Sequence, residues 1–253
     1  MNRYRKELQP AEIKKLYGRS GGRCAFADCR LELVLEATEA DPTRQIGERC
    51  HIVGHSDNGP RGNEGFPRDR LDLYENSILL CPTCHAKVDA HPNTYTVDYL
   101  KTIKADHERW VKSTLAATMS SVGFPELEVV AKFIASPPGF PTDDFTITAP
   151  REKMAKNRLT SDVGQWITMG MVHSQMVSGY LQKMSIFDPD FPERLKSGFL
   201  MAYQGFRAQN LDDDALFEAM MAFAGKGSHE FKRQAAGLAV LVYLFESCEV
   251  FEK

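Results

Sequence analysis

The sequence predicts an α+β protein of two domains, a small thiol-rich N-terminal unit and an all-α C-terminal domain. Three observations predict it. Five of the six cysteines lie within residues 24–84, in a stretch that also has two strand-like runs. From residue 157 onward, apolar side chains recur at three-to-four spacing, which is typical of amphipathic helices. Between these regions, residues 119–150 are rich in Ser, Pro and Gly, which favours a linker.

The first domain is assigned to residues 1–118. Its predicted elements are, in order, a helix over 10–17, a turn that carries Cys24, a strand over 49–54, a polar loop over 55–74, a strand over 76–80 and helices over 82–90 and 98–117. Pro10 favours a helix start, and Gly18 and Pro92 favour helix ends. This domain therefore has a strand, loop, strand and helix at its centre.

The remainder is assigned to a linker over 119–150, with one possible element over 127–135, and to a helical domain over 151–253. Its predicted helices cover about 161–184, 192–208, 212–224 and 229–246, and each is preceded or opened by a capping residue. No residues in these helices have the spacing of a catalytic or metal site.

Bulk properties exclude several classes of protein. With 43% hydrophobic and 26% charged residues, the chain is neither disordered nor fibrous. The N-terminal residues lack the apolar core of a secretion signal, and the longest apolar run, 235–245, is about half of what spans a bilayer. We therefore expect a soluble, cytoplasmic protein without a membrane partner. The net charge of −3 forces no basic face, so a nucleic-acid partner must be argued from the site.

Two cysteine pairs predict a structural zinc site. Cys24 and Cys29 are separated by four residues, and Cys81 and Cys84 by two. Four thiolates in this pattern suit a tetrahedral zinc ion, and paired thiols in a reducing compartment bind metal more often than they oxidise. The alternative is a set of buried free cysteines. Cys248 has no partner in the sequence and is assigned to the core.

A second set of residues predicts a catalytic centre. His51 lies in a strand, and an imidazole with a pKa near neutrality can take a proton from water. Asn76, on the next strand, is the candidate to fix the ring and the surrounding loop. His85 and Asp89 are four residues apart on one helix and can share a divalent ion such as Mg²⁺ or Mn²⁺. Taken singly, each of these side chains is also compatible with a structural histidine or an exposed carboxylate.

These residues resemble the HNH endonucleases, which have the ββα-metal fold. The resemblance covers residues 18–112 and rests on Cys24-x4-Cys29, Cys50-His51-Ile52, Gly59-Pro60-Arg61 and Asn76-x3-Leu80-Cys81-x2-Cys84-His85-x3-Asp89. The residues from Tyr95 to Glu108 look like an extension found in HNH nucleases of bacterial anti-phage systems. The resemblance implies that His51 is the general base, that Asn76 holds it in place, that His85 is a metal ligand and that Asp89 is a further ligand.

One position departs from the HNH pattern. The residue before the base is usually Asp or His and binds the catalytic ion, whereas here it is Cys50. A thiol is a poor Mg²⁺ ligand, so either water takes that place or a softer metal is used. Arg61, in a Gly- and Asn-rich loop, is the candidate to contact substrate phosphates. Its alternative is a solvated loop residue.

The C-terminal half resembles the small helical domains of ABC-three-component systems, in which an effector is joined to a module that docks on an ATPase. The resemblance rests on Asn157-Arg-Leu-Thr-Ser, Tyr203-Gln-Gly-Phe and the run from Ala235 to Lys253. It implies that residues 151–253 are an assembly module for an ATPase partner from the same operon. The alternatives are a helical domain that forms a homo-oligomer and one that covers the nuclease surface.

The expected function is therefore metal-dependent hydrolysis of phosphodiester bonds in DNA, as the effector of a prokaryotic anti-phage system. The expected cofactors are a structural Zn²⁺ and a catalytic Mg²⁺ or Mn²⁺. Two alternatives remain at this point. One is a non-catalytic, zinc-containing adaptor that binds DNA or protein, and the other is a helical adaptor that carries a degenerate nuclease.

Overall fold

A computed structural model describes residues 10–35, 38, 40–136, 150–247 and 251. The chain is mixed α/β and mostly helical, and its described part contains two small sheets. It divides into two compact units, Met1–Lys112 and Ser113–Lys253. Each unit is described by itself below.

The first unit begins with helix α1 (Pro10–Arg19). Two glycines with positive φ, Gly21 at 58° and Gly22 at 66°, turn the chain after it, which is a conformation that glycine adopts without strain. Strand β1 (Val34–Leu35) then pairs antiparallel with strand β2 (Arg44–Gln45). This short hairpin leads directly into the central strands of the unit.

Those central strands are β3 (Glu48–His51) and β4 (Ser77–Leu80), which pair antiparallel. Helix α2 (Pro82–Ala90) follows β4 after a single residue, with Pro82 at its first turn. The predicted order of strand, loop, strand and helix is therefore present. Asn76 differs from its predicted place, because it ends a short 3-10 helix, Tyr74–Asn76, rather than starting the strand.

Helix α3 (Val97–Met119) corresponds to the helix predicted over 98–117. The division between the units, after Lys112, lies inside this helix, whereas the sequence placed the end of the first domain at 118.

The core of the first unit is formed by apolar residues from α1, β3, β4, α2 and α3 together with the buried cysteines. The cysteines are thus part of the packing that forms this unit.

The described part of the second unit contains the last residues of α3 and seven further helices. They are α4 (Phe124–Ile134), α5 (Pro150–Lys156), α6 (Ser161–Met171), α7 (Ser174–Phe187), α8 (Phe191–Ala208), α9 (Asp213–Ala224) and α10 (Phe231–Ser247). Helix α10 lies at the centre and packs against α4, α6, α7 and α9. Nearly all of its residues from 235 to 245 are buried, as the apolar run predicts. Among the described residues, no helix has both the length and the apolar character to cross a membrane.

Two features of this unit differ from the sequence prediction. The single helix predicted over 161–184 is two helices, because the chain turns at Val172 and His173. The stretch assigned to a linker contains α4, which corresponds to the possible element predicted over 127–135 and packs closely on α8: a Cβ on Gly198 would lie 1.9 Å from the Ile134 carbonyl oxygen. The rest of that stretch, 137–149, lies outside the described residues, as does Cys248.

Candidate metal and catalytic centre

The four predicted zinc ligands lie together. The sulfur atoms of Cys24, Cys29, Cys81 and Cys84 are all within 4.8 Å of one another. The Cys29 and Cys81 Sγ atoms are 3.9 Å apart. Two sulfurs bound at about 2.3 Å to a tetrahedral ion stand about 3.8 Å apart, so this separation fits zinc and is far too long for a disulfide. The cluster can hold a metal ion such as zinc.

Local structure presents both pairs of sulfurs to the same point. The turn after Cys24 is closed by hydrogen bonds from the Cys29 and Arg30 amides to the Phe26 carbonyl oxygen, at 3.1 and 3.0 Å. Cys81 is the N-cap of α2, and its sulfur accepts a hydrogen bond from the Cys84 amide at 3.4 Å. This second arrangement follows from the spacing Cys-x2-Cys at the start of a helix, where the first amides have no helical partner.

Without a bound metal ion, burial favours the protonated, neutral form of these thiols. Burial raises the pKa of Cys24 to about 11 and also raises the pKa of Cys84. At Cys81, burial opposes ionisation, but hydrogen bonds from Cys84 and from neighbouring thiols lower the pKa overall. A thiol that binds a metal ion loses its proton, because the charge of the ion stabilises the thiolate. Metal binding at the cluster would therefore release the thiol protons and put one ion in their place. A closed set of four sulfurs is the form that structural zinc sites take.

A second group of possible ligands lies on β3 and α2. Ligand atoms of Cys50, His85 and Asp89 are within 4.8 Å of one another. The helix places His85 Nε2 3.4 Å from Asp89 Oδ2, as the spacing of four residues predicts. Burial raises the pKa of the Cys50 thiol to about 12, and the Arg61 guanidinium opposes that rise. The donors are one sulfur, one nitrogen and one oxygen, a set that suits a transition metal better than Mg²⁺.

Glu48 contacts this group and was not predicted from the sequence. Its Oε2 is 2.7 Å from His85 Nδ1, across the ring from Asp89. Side chains two residues apart on a strand share a face, so Glu48 and Cys50 point to the same side of β3. Because Glu48 and Cys50 are two positions apart at the edge of a predicted strand, the sequence alone could have indicated that Glu48 lies next to the candidate ligands.

Arg61 does not occupy the place that its predicted role requires. Its side chain is only 4% exposed, which leaves little of the guanidinium for a substrate phosphate. Nε donates to the Ile52 carbonyl oxygen at 3.1 Å, and Nη1 donates to that of Val88 at 2.8 Å. Nη2 contacts the His51 carbonyl oxygen at 3.2 Å and Asp89 Oδ1 at 2.7 Å. Arg61 thus joins the loop, β3 and α2 from inside.

The loop glycines make this inward position possible. The Gly54 amide bonds to the Arg61 carbonyl oxygen at 3.1 Å, and Gly54 is bridged to Gly62. A Cβ on Gly54 would lie 2.2 Å from the Pro60 oxygen, and one on Gly62 would lie 2.1 Å from the Asp57 oxygen. The loop therefore closes tightly only with glycine at these positions, and it then carries Arg61, whose φ is 56°, back over β3.

His51 is the last residue of β3, and its ring contacts Asp72 and Arg49. Nε2 is 3.1 Å from Asp72 Oδ1 and 3.0 Å from Arg49 Nη2. Because Arg49 already donates to Asp72 at 2.8 Å, the arrangement is best satisfied when Nε2–H also donates to Asp72 and Nδ1 keeps its lone pair. Burial lowers the pKa of His51, with the Asp72 hydrogen bond opposing the change, so the ring is neutral at neutral pH.

The ring of His51 is not a member of the Cys50, His85 and Asp89 group. Alternate residues of a strand point to opposite faces, so His51 and Arg49 share one face of β3 while Cys50 and Glu48 share the other. The main chain of His51 is nevertheless close to the group, since one Arg61 nitrogen contacts both the His51 carbonyl oxygen and Asp89. The histidine therefore lies at the edge of the candidate metal group, and its ring faces away from the strand side that carries the ligands.

Asn76 fixes the loop rather than the ring. It is 5% exposed, and its Oδ1 accepts a hydrogen bond from the Val53 amide at 2.8 Å. Its Nδ2 donates to the carbonyl oxygens of Val53 and Leu71, each at 3.0 Å. The contact of Asn76 with the loop after His51 agrees with the prediction, whereas the ring itself is held by Asp72 and Arg49. Asp72 lies in an irregular loop, so no periodicity in the sequence indicated it.

His107 packs within the first unit, as expected for a residue outside the catalytic set. It is 1% exposed, its Nε2 is 3.0 Å from the Ser20 carbonyl oxygen, and its ring stacks on Trp110 with 5.6 Å between centroids. Arg30, which follows Cys29, contacts the other ring nitrogen. These contacts attach α3 to the turn that carries the first thiol pair.

No protein-family model matches this chain, and a comparison with curated proteins finds no match either.

Proposed function

We propose that the N-terminal unit is a metal-dependent endonuclease that hydrolyses phosphodiester bonds in DNA. The observation that carries the proposal is the joining of β3, β4 and α2 into one unit, with a neutral, hydrogen-bonded histidine at the end of β3 whose main chain adjoins a group of three possible metal ligands. A general base near a Lewis-acid site is the minimum required for attack by water on a phosphodiester. The four-thiol cluster supports the same reading, because it would hold these elements together without taking part in the reaction.

In the proposed reaction, His51 Nδ1 accepts a proton from the attacking water while Nε2–H remains bonded to Asp72. The water oxygen forms a bond to phosphorus, and the bond from phosphorus to the 3′-oxygen breaks. Cys50, His85 and Asp89 would hold the divalent ion, which when bound stabilises negative charge on the phosphoryl group and the leaving oxygen. Asn76 keeps the loop after His51 in position, and Arg61 holds the main chain of His51 next to Asp89.

The test is plasmid digestion by the wild-type protein and by His51→Ala, with Mg²⁺, Mn²⁺ or Zn²⁺ added and with EDTA. Removal of a general base lowers rates by about 10²–10⁴-fold. We expect a loss of this size for His51→Ala, with unchanged metal content and melting temperature. His91→Ala is the matched control, since His91 is an exposed histidine at the end of α2. Equal cleavage by His51→Ala and the wild type would contradict the proposal.

A specific observation favours a second candidate, a non-catalytic zinc-containing adaptor that binds DNA or protein. The His51 ring is hydrogen-bonded to Asp72 and contacts Arg49 on the face of β3 opposite Cys50, as a structural histidine would be. This reading predicts DNA binding or partner binding without cleavage under any metal condition. An electrophoretic mobility assay beside the digestion separates the two functions, because binding without cleavage supports only the adaptor.

We extend the proposal to an effector of anti-phage defence that is controlled by an ATPase through the helical second unit. Its support is the resemblance of both halves to parts of such systems, together with the presence of a helical unit that folds around its own core. Coexpression with an ATPase encoded beside the gene, followed by affinity purification, tests it. We expect residues 113–253 alone to retain the ATPase and residues 1–112 alone to lose it.

A further inference from the structure

The donor atoms of Cys50, His85 and Asp89 favour some metal ions over others. Cys50 supplies sulfur from β3, where it is fully buried, and His85 and Asp89 supply nitrogen and oxygen from α2. Soft thiolate ligands select transition metals, whereas Mg²⁺ prefers oxygen ligands in near-octahedral geometry and keeps several waters. The 3.4 Å between His85 Nε2 and Asp89 Oδ2 also equals the separation of two ligands bound at about 2.1 Å to a tetrahedral ion.

Glu48 gives the histidine one orientation. When His85 Nδ1–H donates to Glu48 Oε2, at 2.7 Å, the lone pair of Nε2 faces Asp89 and Cys50. A carboxylate that accepts the second N–H of a ligating histidine fixes both the tautomer and the ring, and it raises the basicity of the ligand. The protein therefore holds the ring in the form that binds a metal through Nε2.

Arg61 orients the other two donors, Asp89 and Cys50. Its Nη2 donates to Asp89 Oδ1 at 2.7 Å, which leaves Oδ2 directed at His85, and it lies 3.7 Å from Cys50 Sγ. The charges also balance. A divalent ion is neutralised by one thiolate and one carboxylate, and the positive charge of Arg61 is offset by Glu48. A partly buried site can hold this set without excess charge.

We propose that Cys50, His85 and Asp89 form a mixed-donor site for a thiophilic divalent cation of the zinc and cobalt class rather than for magnesium, with Glu48 and Arg61 as the residues that orient its ligands. Binding transfers the Cys50 thiol proton to solvent, while His85 keeps its Nδ1 proton on the Glu48 side. The described residues supply three ligands, so a fourth position is open to water or to a phosphate oxygen. The inference names the metal of the proposed nuclease site and in that sense rests on the proposed function.

The test measures metal binding, not cleavage, so its failure and the failure of the nuclease proposal are distinguishable. Full-length protein is first loaded with one equivalent of Zn²⁺ to fill the four-thiol cluster and is then titrated with Co²⁺. We expect a second equivalent to bind, with a thiolate-to-cobalt charge-transfer band, and we expect excess Mg²⁺ not to displace it. Cys50→Ser should lose the band and bind Co²⁺ more weakly.

Glu48→Gln provides a variant that keeps a nearly native surface, since the Glu48 side chain is 47% exposed. Loss of such an orienting residue typically lowers metal affinity by about 10–100-fold. We expect a decrease in this range for Co²⁺ at the second site, with the four-thiol cluster unaffected. The matched control is Glu64→Gln, an exposed glutamate in the loop, which should bind Co²⁺ as the wild type does.

Four outcomes would overturn the inference. Displacement of Co²⁺ by millimolar Mg²⁺ would show that the site does not select a soft ion. An unchanged charge-transfer band in a folded Cys50→Ser protein, judged by circular dichroism, would remove the sulfur from the ligand set. No second equivalent would indicate that His85 pairs with two carboxylates instead of binding a metal. Equal affinities of the Glu48→Gln and Glu64→Gln variants would show that Glu48 does not orient the ligand.

Discussion

The two candidate metal groups share α2 but differ in kind. The four-thiol cluster uses one type of donor from two short turns, and its sulfurs belong to the apolar core of the first unit. The Cys50, His85 and Asp89 group mixes three types of donor, and Asp89 is 45% exposed. Closed tetrahedral sites are structural, whereas sites with three protein ligands and an open position are reactive. In the proposed function, the four-thiol cluster folds the unit and the Cys50, His85 and Asp89 group takes part in the reaction.

Removal of zinc from the thiol cluster is the change with the largest expected effect. Structural zinc contributes on the order of 10 kcal/mol to the folding of small metal domains. Without it, three buried thiols would remain in the core and a fourth, Cys29, would remain packed against it. We expect EDTA treatment or Cys84→Ser to unfold the first unit, as measured by circular dichroism and limited proteolysis. The second unit, which has its own helical core, should retain its melting transition.

Cys50→Ser is the cysteine control for that experiment. It should keep one zinc per chain, because Cys50 is not part of the thiol cluster. If Cys50→Ser lost zinc and folding as completely as Cys84→Ser, the division into a structural and a reactive group would be wrong.

Asn76→Ala should have an intermediate effect. The substitution leaves the Val53 amide and two carbonyl oxygens without their partner, in a site that is 5% exposed. A buried polar group that loses its hydrogen bond costs roughly 1–3 kcal/mol. We expect the free energy of unfolding of the first unit to fall by about that amount, with zinc content unchanged. Chemical denaturation of the zinc-loaded protein measures it.

Asn76→Asp sharpens this prediction. An aspartate can still accept from the Val53 amide, but it cannot donate to the carbonyl oxygens of Val53 and Leu71. It should therefore destabilise the unit at least as much as alanine does. A fully stable Asn76→Asp protein would show that the two donated hydrogen bonds do not hold the loop.

Asp72→Asn is expected to have the most local effect, confined to the surroundings of His51, with little change in the stability of the unit. The substitution removes the carboxylate that accepts from His51 Nε2 and Arg49, at 3.1 and 2.8 Å. Hydrogen bonds to charged groups contribute about 1.5–3 kcal/mol, so a decrease in DNA cleavage of about tenfold or more is expected if they orient the base. Nitrogen NMR of His51 should at the same time show a weaker preference for the Nε2–H tautomer. An unchanged rate with a changed tautomer would separate the orientation of the ring from catalysis.

Much of the first unit follows from short-range patterns. Cys81-x2-Cys84 before a helix, and His85 and Asp89 four residues apart on it, are fixed by helical geometry, and the structure places them as the spacing predicts. The patterns were weaker in the second unit. Three-to-four spacing continues through the turn at Val172 and His173, so two helices were predicted as one. Helix α4 was predicted only as a possible element over 127–135, because the stretch around it is rich in proline.

The roles of Arg61, Asp72 and the His51 ring could not be obtained in this way. Because Arg61 lies in a polar loop, the sequence predicts an exposed side chain that could contact phosphate. In the structure, the contact between Gly54 and Gly62 closes the loop, and the Arg61 side chain is buried. The partner of His51 lies 21 residues away in an irregular segment. Loop residues have no period, so neither their burial nor their partners are encoded in local spacing.

The sequence by itself determined that each cysteine pair can direct its two thiols at one ion, that His85 and Asp89 share a helix face, and that the C-terminal half is helical. These features depend on residues that are only a few positions apart in the chain. Backbone geometry almost alone fixes how the side chains of such residues are arranged. The tertiary structure alone decided which face of β3 carries the His51 ring, that Arg61 is internal and that Glu48 orients His85. These depend on the register of two strands and on the closure of the loop between them, which are set by packing of the whole unit.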